Sequence, residues 1–309
     1  MRSLVSLRLK TALALSILYL VWGSTYLAIR VAVETIPPAI MAGSRHLTAG
    51  LMMLAVALLR REPFPTRARE WATAATVGLL LLLLGNGLVC WAEQFVASGL
   101  TALIVCSIPL WLLSMEALVP GGERLGRHDV ASLLIGLAGI GILVSPQIHL
   151  NTGTSAAGVL GLVAASISWA LGSTLARHGP MPASIWATST IEMLAGGLAL
   201  LATAAAGGEF ERFRFASVTA GGWLSWGYLV VGGSVIAFSA YTWLLAHVRP
   251  SLVTTYAYVN PVVAVVLGVV ILGETVGPST FLGAVVTLSS VVMVTRRKKE
   301  AAGQAKVTP

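Results

Sequence analysis

The side chains best suited to chemistry in this sequence lie inside apolar stretches, and Glu192 is the sharpest of them. It falls about ten residues into a span that begins near Pro182, with Thr188, Ser189, Ala195, Gly196 and Ala199 on the same helical face. A carboxylate at that depth costs ~2.5 kcal/mol or more to insert, so it marks a pathway, a proton relay or an ion pair. Arg45, inside another apolar span, is the candidate partner for a structural pair, and its planar fork could equally hold a substrate carboxylate. The stretch 250–274, PSLVTTYAYVNPVVAVVLGVVILGE, sets Tyr256 and Asn260 one helical turn apart. Pro261 follows them and leaves the Ala257 carbonyl without its N–H partner, so a broken, polar-striped helix is expected there. Pro109 is a second proline of this kind. Asn86 is an amide at depth that needs a partner, from either a cavity lining or an interhelical bond. Trp22 shares a face with Tyr19, Gly23 and Tyr26, and Trp169 shares one with Ser166, Gly172 and Ser173. Such faces can line a cavity for an apolar or amphipathic molecule, or they can simply pack.

The elements that must position these residues follow from composition. The chain has 309 residues, 56% hydrophobic and only 10% charged, with mean hydropathy +0.85. Soluble domains carry about 25% charged residues, so this is a membrane protein. The net charge of +8 does not imply nucleic acid, because the charges sit in short loops between apolar spans. Spans are expected at about 11–29, 38–59, 71–92, 98–119, 130–145, 156–176, 182–206, 221–246, 251–272 and 279–295. Residues 146–155 read as a linker, and 296–309 as a polar, disordered tail. Ten spans put both termini on one side. With that side cytoplasmic, 16 of the 20 Lys and Arg are internal, while Arg30, Arg212 and Arg214 are external and Arg45 is within a span. This predicts a multi-pass protein of the inner (plasma) membrane with cytoplasmic termini.

The chain also repeats itself. Residues 98–126 align with 250–277, so that Leu100 meets Leu252, Pro109 meets Pro261, Gly121 meets Gly273, Glu123 meets Glu274 and Gly126 meets Gly277. Trp91 matches Trp243, and Gly23-Ser24-Thr25 matches Gly172-Ser173-Thr174. Ser132, Gly136 and Gly139 in the fifth span correspond to Gly283, Thr287 and Ser290 in the tenth. Small side chains at that spacing let another helix approach closely, within the bundle or in a second protomer, which leaves a homodimer open. Five spans per half make the second copy inverted. The halves are therefore 11–145 and 156–295, an all-α integral membrane protein of two inverted five-helix repeats.

On these residues the chain resembles the EamA-type family of the drug/metabolite transporter superfamily, over about 11–295. Arg45 in the second span also fits that family. The extra residue in Pro120-Gly121-Gly122-Glu123 and Ser132 opposite Gly283 depart from a perfect repeat. The resemblance implies helices 1–4 and 6–9 around a central cavity, helices 5 and 10 at the periphery, and transport of a small molecule, commonly export.

Enzyme signatures are absent. There is no GxxxxGK[ST] phosphate loop and no HExxH, and GTSAAG at 153–158 fails GxSxG at Ala157. Cys90 and Cys106 lie in apolar spans and suggest neither a disulfide framework nor a metal site. The reading is a secondary transporter without cofactor or catalytic residues, with a small-molecule substrate and the proton as candidate coupling ion. An importer or uncoupled facilitator is the alternative, and a polytopic enzyme or scaffold the different class. Glu116, near a span end, is expected to snorkel. Glu123 and Glu274 are expected at loops or helix ends.

Overall fold

The computed structural model describes residues 2–119, 126–149, 156–247 and 255–304, and among these it is all-helical, without strands. In chain order the long helices are α1 (Leu7–Val33), α2 (Pro38–Leu59), α3 (Ala68–Ala92), α4 (Ser98–Leu118), α5 (Arg127–His149), α6 (Ala156–His178), α7 (Ile185–Ala206), α8 (Ala220–Tyr241, helical on to His247), α9 (Tyr256–Leu272) and α10 (Pro278–Gln304). α1–α4 and α6–α8 are long and apolar enough to cross a membrane, and α9 and α10 contain the shorter apolar helices Val259–Leu272 and Pro278–Met293. Two expected boundaries move. α5 runs through to His149, into the expected linker. α10 stays helical to Gln304, where a disordered tail was expected. A helix already nucleated by an apolar span extends readily through good formers such as Lys, Glu and Ala. Gly121, Glu123, the rest of the linker and residues 305–309 lie outside the described residues.

The two halves echo each other in their helix ends. α2 and α7 both stop on a left-handed residue, Arg61 (φ 54°) and Gly208 (φ 65°), 147 positions apart. Glu62 and Glu209 follow at the same offset, and each serves the other half. Glu62 Oε2 accepts from Ser184 Oγ (2.9 Å), the cap of α7. Glu209 accepts from Ala39 N (3.3 Å) and Ile40 N (2.9 Å) in the first turn of α2. Carboxylates at helix N-termini satisfy free N–H groups and the macrodipole together. Glu274 does the same for α4, accepting from Ser98 N (2.7 Å), Ser98 Oγ (2.8 Å) and Gly99 N (3.0 Å).

α2 and α7 form the axis of the bundle. They pack antiparallel along their lengths, Gly43 against Leu201, Gly197 against Leu47 and Gly50 against Leu194. Around this pair the packing order runs α8, α1, α9, α4, α6, α3 and back to α7. α5 and α10 stand aside and pack mainly on one another. Their small-residue faces meet within one chain: a Cβ on Gly139 would lie 2.7 Å from Thr287 N, one on Gly136 2.7 Å from Ser290 Oγ, and one on Gly283 2.7 Å from Leu143 Cγ.

The two ends of the bundle differ. At the end holding Glu93, the first half of α4 packs on both α9 and α1, and the Glu274 cap and a bond from Arg30 Nη1 to the Glu93 carbonyl close it. At the opposite end α4 turns to α6, where Glu116 pairs with Arg177 (3.3 Å) and His178 (3.0 Å), so this carboxylate is buried rather than snorkelling. There the early turns of α1 pack on the late turns of α8. Among the described residues no comparable packing joins α1 and α8 to α4 and α6 at that end.

Candidate functional site

The polar residues of α2 dock on two matched irregularities. α3 and α8 each contain an eight-residue π-helical stretch, Leu79–Asn86 and Leu229–Ile236, at an offset of 150, and α1 contains a shorter one, Leu18–Trp22. A π turn displaces the hydrogen-bond ladder and exposes carbonyls to outside donors, and such turns cluster at functional sites. Here Trp22 Nε1 donates to Gly233 O (3.0 Å) and Ser168 Oγ donates to Leu80 O (2.8 Å). Arg45 Nε donates to Ser234 Oγ (3.0 Å), and His46 Nε2 donates to Asn86 Oδ1 (3.0 Å). Cys90 Sγ also donates to Asn86 Oδ1, at 3.5 Å. The partner that Asn86 needs is thus interhelical. Trp169 packs its ring on Gly85, the neighbour of Asn86.

Glu192 stands apart from this network. The α2–α7 register places Arg45 level with residue 199, so Glu192 lies seven residues away, ~10.5 Å along the axis. Arg45 and Glu192 sit at mirror positions, 147 apart, on opposite sides of the crossing. The expected structural pair between them is not formed: the ion pairs among the described residues are those of Glu116, and the carboxylate within electrostatic reach of Arg45 is Glu93. Glu192 is half-buried, toward the loosely packed end, and among the described residues it makes no side-chain hydrogen bond. At offset 150 the α3 counterpart of Ser234 is Leu84, an exposed side chain, and the α3 residue against Glu192 is Gly78, whose Cβ would lie 2.7 Å from Glu192 Cα, so α3 brings Glu192 no hydroxyl.

An aromatic cluster borders the same end. Trp22, Tyr241 and Tyr256 are in mutual ring contact, with centroids 5.4 Å (22–241), 5.3 Å (22–256) and 6.2 Å (241–256) apart, and Phe238 adds a fourth ring 6.4 Å from Tyr241. Tyr241 is within electrostatic reach of Glu192 and Arg177. Asn260 is buried one turn on from Tyr256, its carbonyl beside Gly23, where α1 and α9 come so close that a Cβ would lie 2.7 Å from Val263 Cβ. The prolines differ from each other. α4 is interrupted at Cys106-Ser107, immediately before Pro109. α9 continues through Pro261, so the expected break there is not present.

Two participants are invisible to the sequence reading. Ser234 sits in an apolar GGS run, and only the offset between the π stretches ties it to Arg45. Glu93, one residue past α3, reads as a solvated helix end, yet it is fully buried and neither carboxylate oxygen has a hydrogen-bond partner. Burial pushes its carboxyl well above the usual range. The charge of Glu274 adds to that, while Arg30 and Arg45 pull the other way.

Known proteins share this architecture. A model of the EamA-like transporter family matches residues 9–145 and 156–296. The inner membrane transporter YedA of Escherichia coli strain K12 is 42% identical over 290 residues, covering 92% of this chain and 90% of YedA. The transporter YvbV of Bacillus subtilis strain 168 is 26% identical over 292 residues, covering 94% and 93%. A protein solved by crystallography superposes with a TM-score of 0.61 at 19% identity, covering 94% of this chain and 98% of its own, which shows a shared fold.

Proposed function

The chain belongs to the EamA-like transporter family and is a multi-pass membrane transporter, and from that premise we propose that it exports a small metabolite, amino acid or drug-like compound by alternating access. The proposal includes ten spans in inverted repeats, cytoplasmic termini and residence in the inner membrane, as for the E. coli relative. The Glu93 end is then external and closed, and the Arg177 end is cytoplasmic and open, an inward-facing state.

The observation that carries this reading is Glu192, half-buried near the loosely packed end and, among the described residues, without a side-chain hydrogen bond or ion pair. When the cytoplasmic end closes, its charge moves into a low-dielectric interior where the facing α3 residue is Gly78, which has no side chain to pair with it. An unpaired buried carboxylate is too costly to persist, so closure requires a proton or a substrate cation on Glu192. Trp22, Tyr241 and Tyr256 supply an apolar wall beside it, with Asn260 and Trp169 as further lining. Arg45 and Asn86 act by holding α2 against α8 and α3. A proton taken up on one side and released on the other would couple export to the proton gradient.

A challenge panel tests the direction and substrate class. Cells overexpressing the protein are exposed to toxic amino-acid and metabolite analogues. Resistance to one class, lost in Glu192→Gln, is the expected result. Sensitisation by the wild type would identify an importer and overturn export, and a response unaffected by Glu192→Gln would favour an uncoupled facilitator.

A further inference from the structure

Glu93 is the most unusual buried group in the molecule. It is 0% exposed, and both carboxylate oxygens lack hydrogen-bond donors. Two guanidinium groups are near, but neither is spent on the carboxylate. Arg30 Nη1 donates to the main-chain oxygen of Glu93, and Arg45 Nε donates to Ser234, leaving Arg45 Nη1 buried without a partner. A counter-ion fixed for structural reasons would sit in contact with one of them. Among the described residues Glu93 takes part in no ion pair.

The titratable groups around it come from four helices and one helix end. α1 brings Tyr26 and Arg30, α2 brings Arg45 with His46 beside it, α3 brings Cys90, α4 brings Cys106, and Glu274 stands at the foot of α10. The adjacent halves of α6 (156–167) and α9 (262–272) contain no titratable side chain. Glu93 therefore sits among α1, α2, α3 and the first half of α4, which also packs on α9, at the point that must part if this end is ever to open.

We propose that Glu93 is the proton-binding group of the external gate, protonated while the gate is closed and releasing its proton to external water when the gate opens. The inference rests on the alternating-access reading above. The sign follows from the environment. The closed gate raises the affinity of Glu93 for its proton, so the closed form is favoured at low external pH and is lost as pH rises through the raised value. Glu93 and Glu192 then divide the work, one carboxylate for each exit, on either side of the α2–α7 crossing.

Spin labels at Glu34 and Phe95, both exposed at the ends of α1 and α3, report the gap directly. With Cys90 and Cys106 replaced by alanine, the label distance is measured by pulsed electron resonance in lipid nanodiscs from about pH 5 to about pH 9, a range that brackets a raised carboxyl. The series is run in a Glu192→Gln background, whose neutral amide leaves the cytoplasmic end free to close, and it should show a short distance at low pH and a growing longer one as pH rises. Glu93→Gln should hold the short distance, cutting the longer population at high pH by about ten-fold. In the same background Glu93→Asp should keep the pH response with a shifted midpoint. A Glu93→Gln gate that opens with the same midpoint as the Glu192→Gln background overturns the inference, as does an Asp variant with no response. If the wild type never lengthens at any pH or with substrate, alternating access itself fails. A lengthening that is the same in Glu93→Gln removes the Glu93 role alone.

Discussion

Neutralising Arg45 and Glu192 together should produce little that the two single changes do not already produce. The register of α2 on α7 holds their backbones ~10.5 Å apart in depth, and the Arg45 guanidinium is anchored to Ser234. Across that distance, with an effective dielectric of about 20, the attraction is at most ~1.6 kcal/mol. Splitting a buried pair in contact costs about 3–5 kcal/mol. The assay is a double-mutant cycle on thermal stability in detergent, with Arg45→Gln, Glu192→Gln and the double variant. The expected coupling lies below ~1.6 kcal/mol. Recovery of about 3 kcal/mol or more in the 45/192 double variant would mean the two charges touch, and the register argument would be wrong.

Gly139→Leu should lower the melting temperature, since the Cβ alone would come within 2.7 Å of Thr287 N, an overpacking cost of about 1–3 kcal/mol. An unchanged melt would show that α5 and α10 separate freely. Pro109 and Pro261 should part company in a transport assay. Pro109→Ala lets α4 run on and should impair transport, whereas Pro261→Ala restores the bond to the Ala257 carbonyl and should raise stability with transport largely kept. Equal transport by both variants contradicts this. Cysteine labelling should find Phe64 accessible only from the cytoplasm and Phe215 only from outside, and the reverse result would invert the proposed orientation.

Much of this molecule can be read from sequence because a bilayer permits few solutions. The apolar stretches locate the helices, and the matched small residues Gly136, Gly139 and Gly283 call for a close helix contact, within the bundle or with a second protomer, which the structure supplies between α5 and α10. What stays hidden depends on three-dimensional register. Arg45 and Glu192 look like partners because each is a lone charge at similar nominal depth, and only the antiparallel crossing separates them. The π stretches follow from packing between helices and have no local signature in LLLLLLGN or LVVGGSVI. In sequence Pro261 argues for a break, yet α9 is helical on both sides of it and gives up only the bond to the Ala257 carbonyl. Glu93 misleads for the opposite reason. A carboxylate at a helix end is normally solvated, and its burial is set by the close convergence of α1, α4 and α9 around the short connector 93–97.

Glu192→Gln in proteoliposomes is the most direct test of the account. With a substrate from the resistance panel and an imposed pH gradient, the wild type should move substrate against its concentration. Glu192→Gln should insert and melt like the wild type and still exchange substrate across the membrane, because the amide keeps the shape, but it should lose the gradient-driven accumulation entirely. Full accumulation by Glu192→Gln would contradict the central claim and shift attention to Asn260, Tyr256 and the tryptophans.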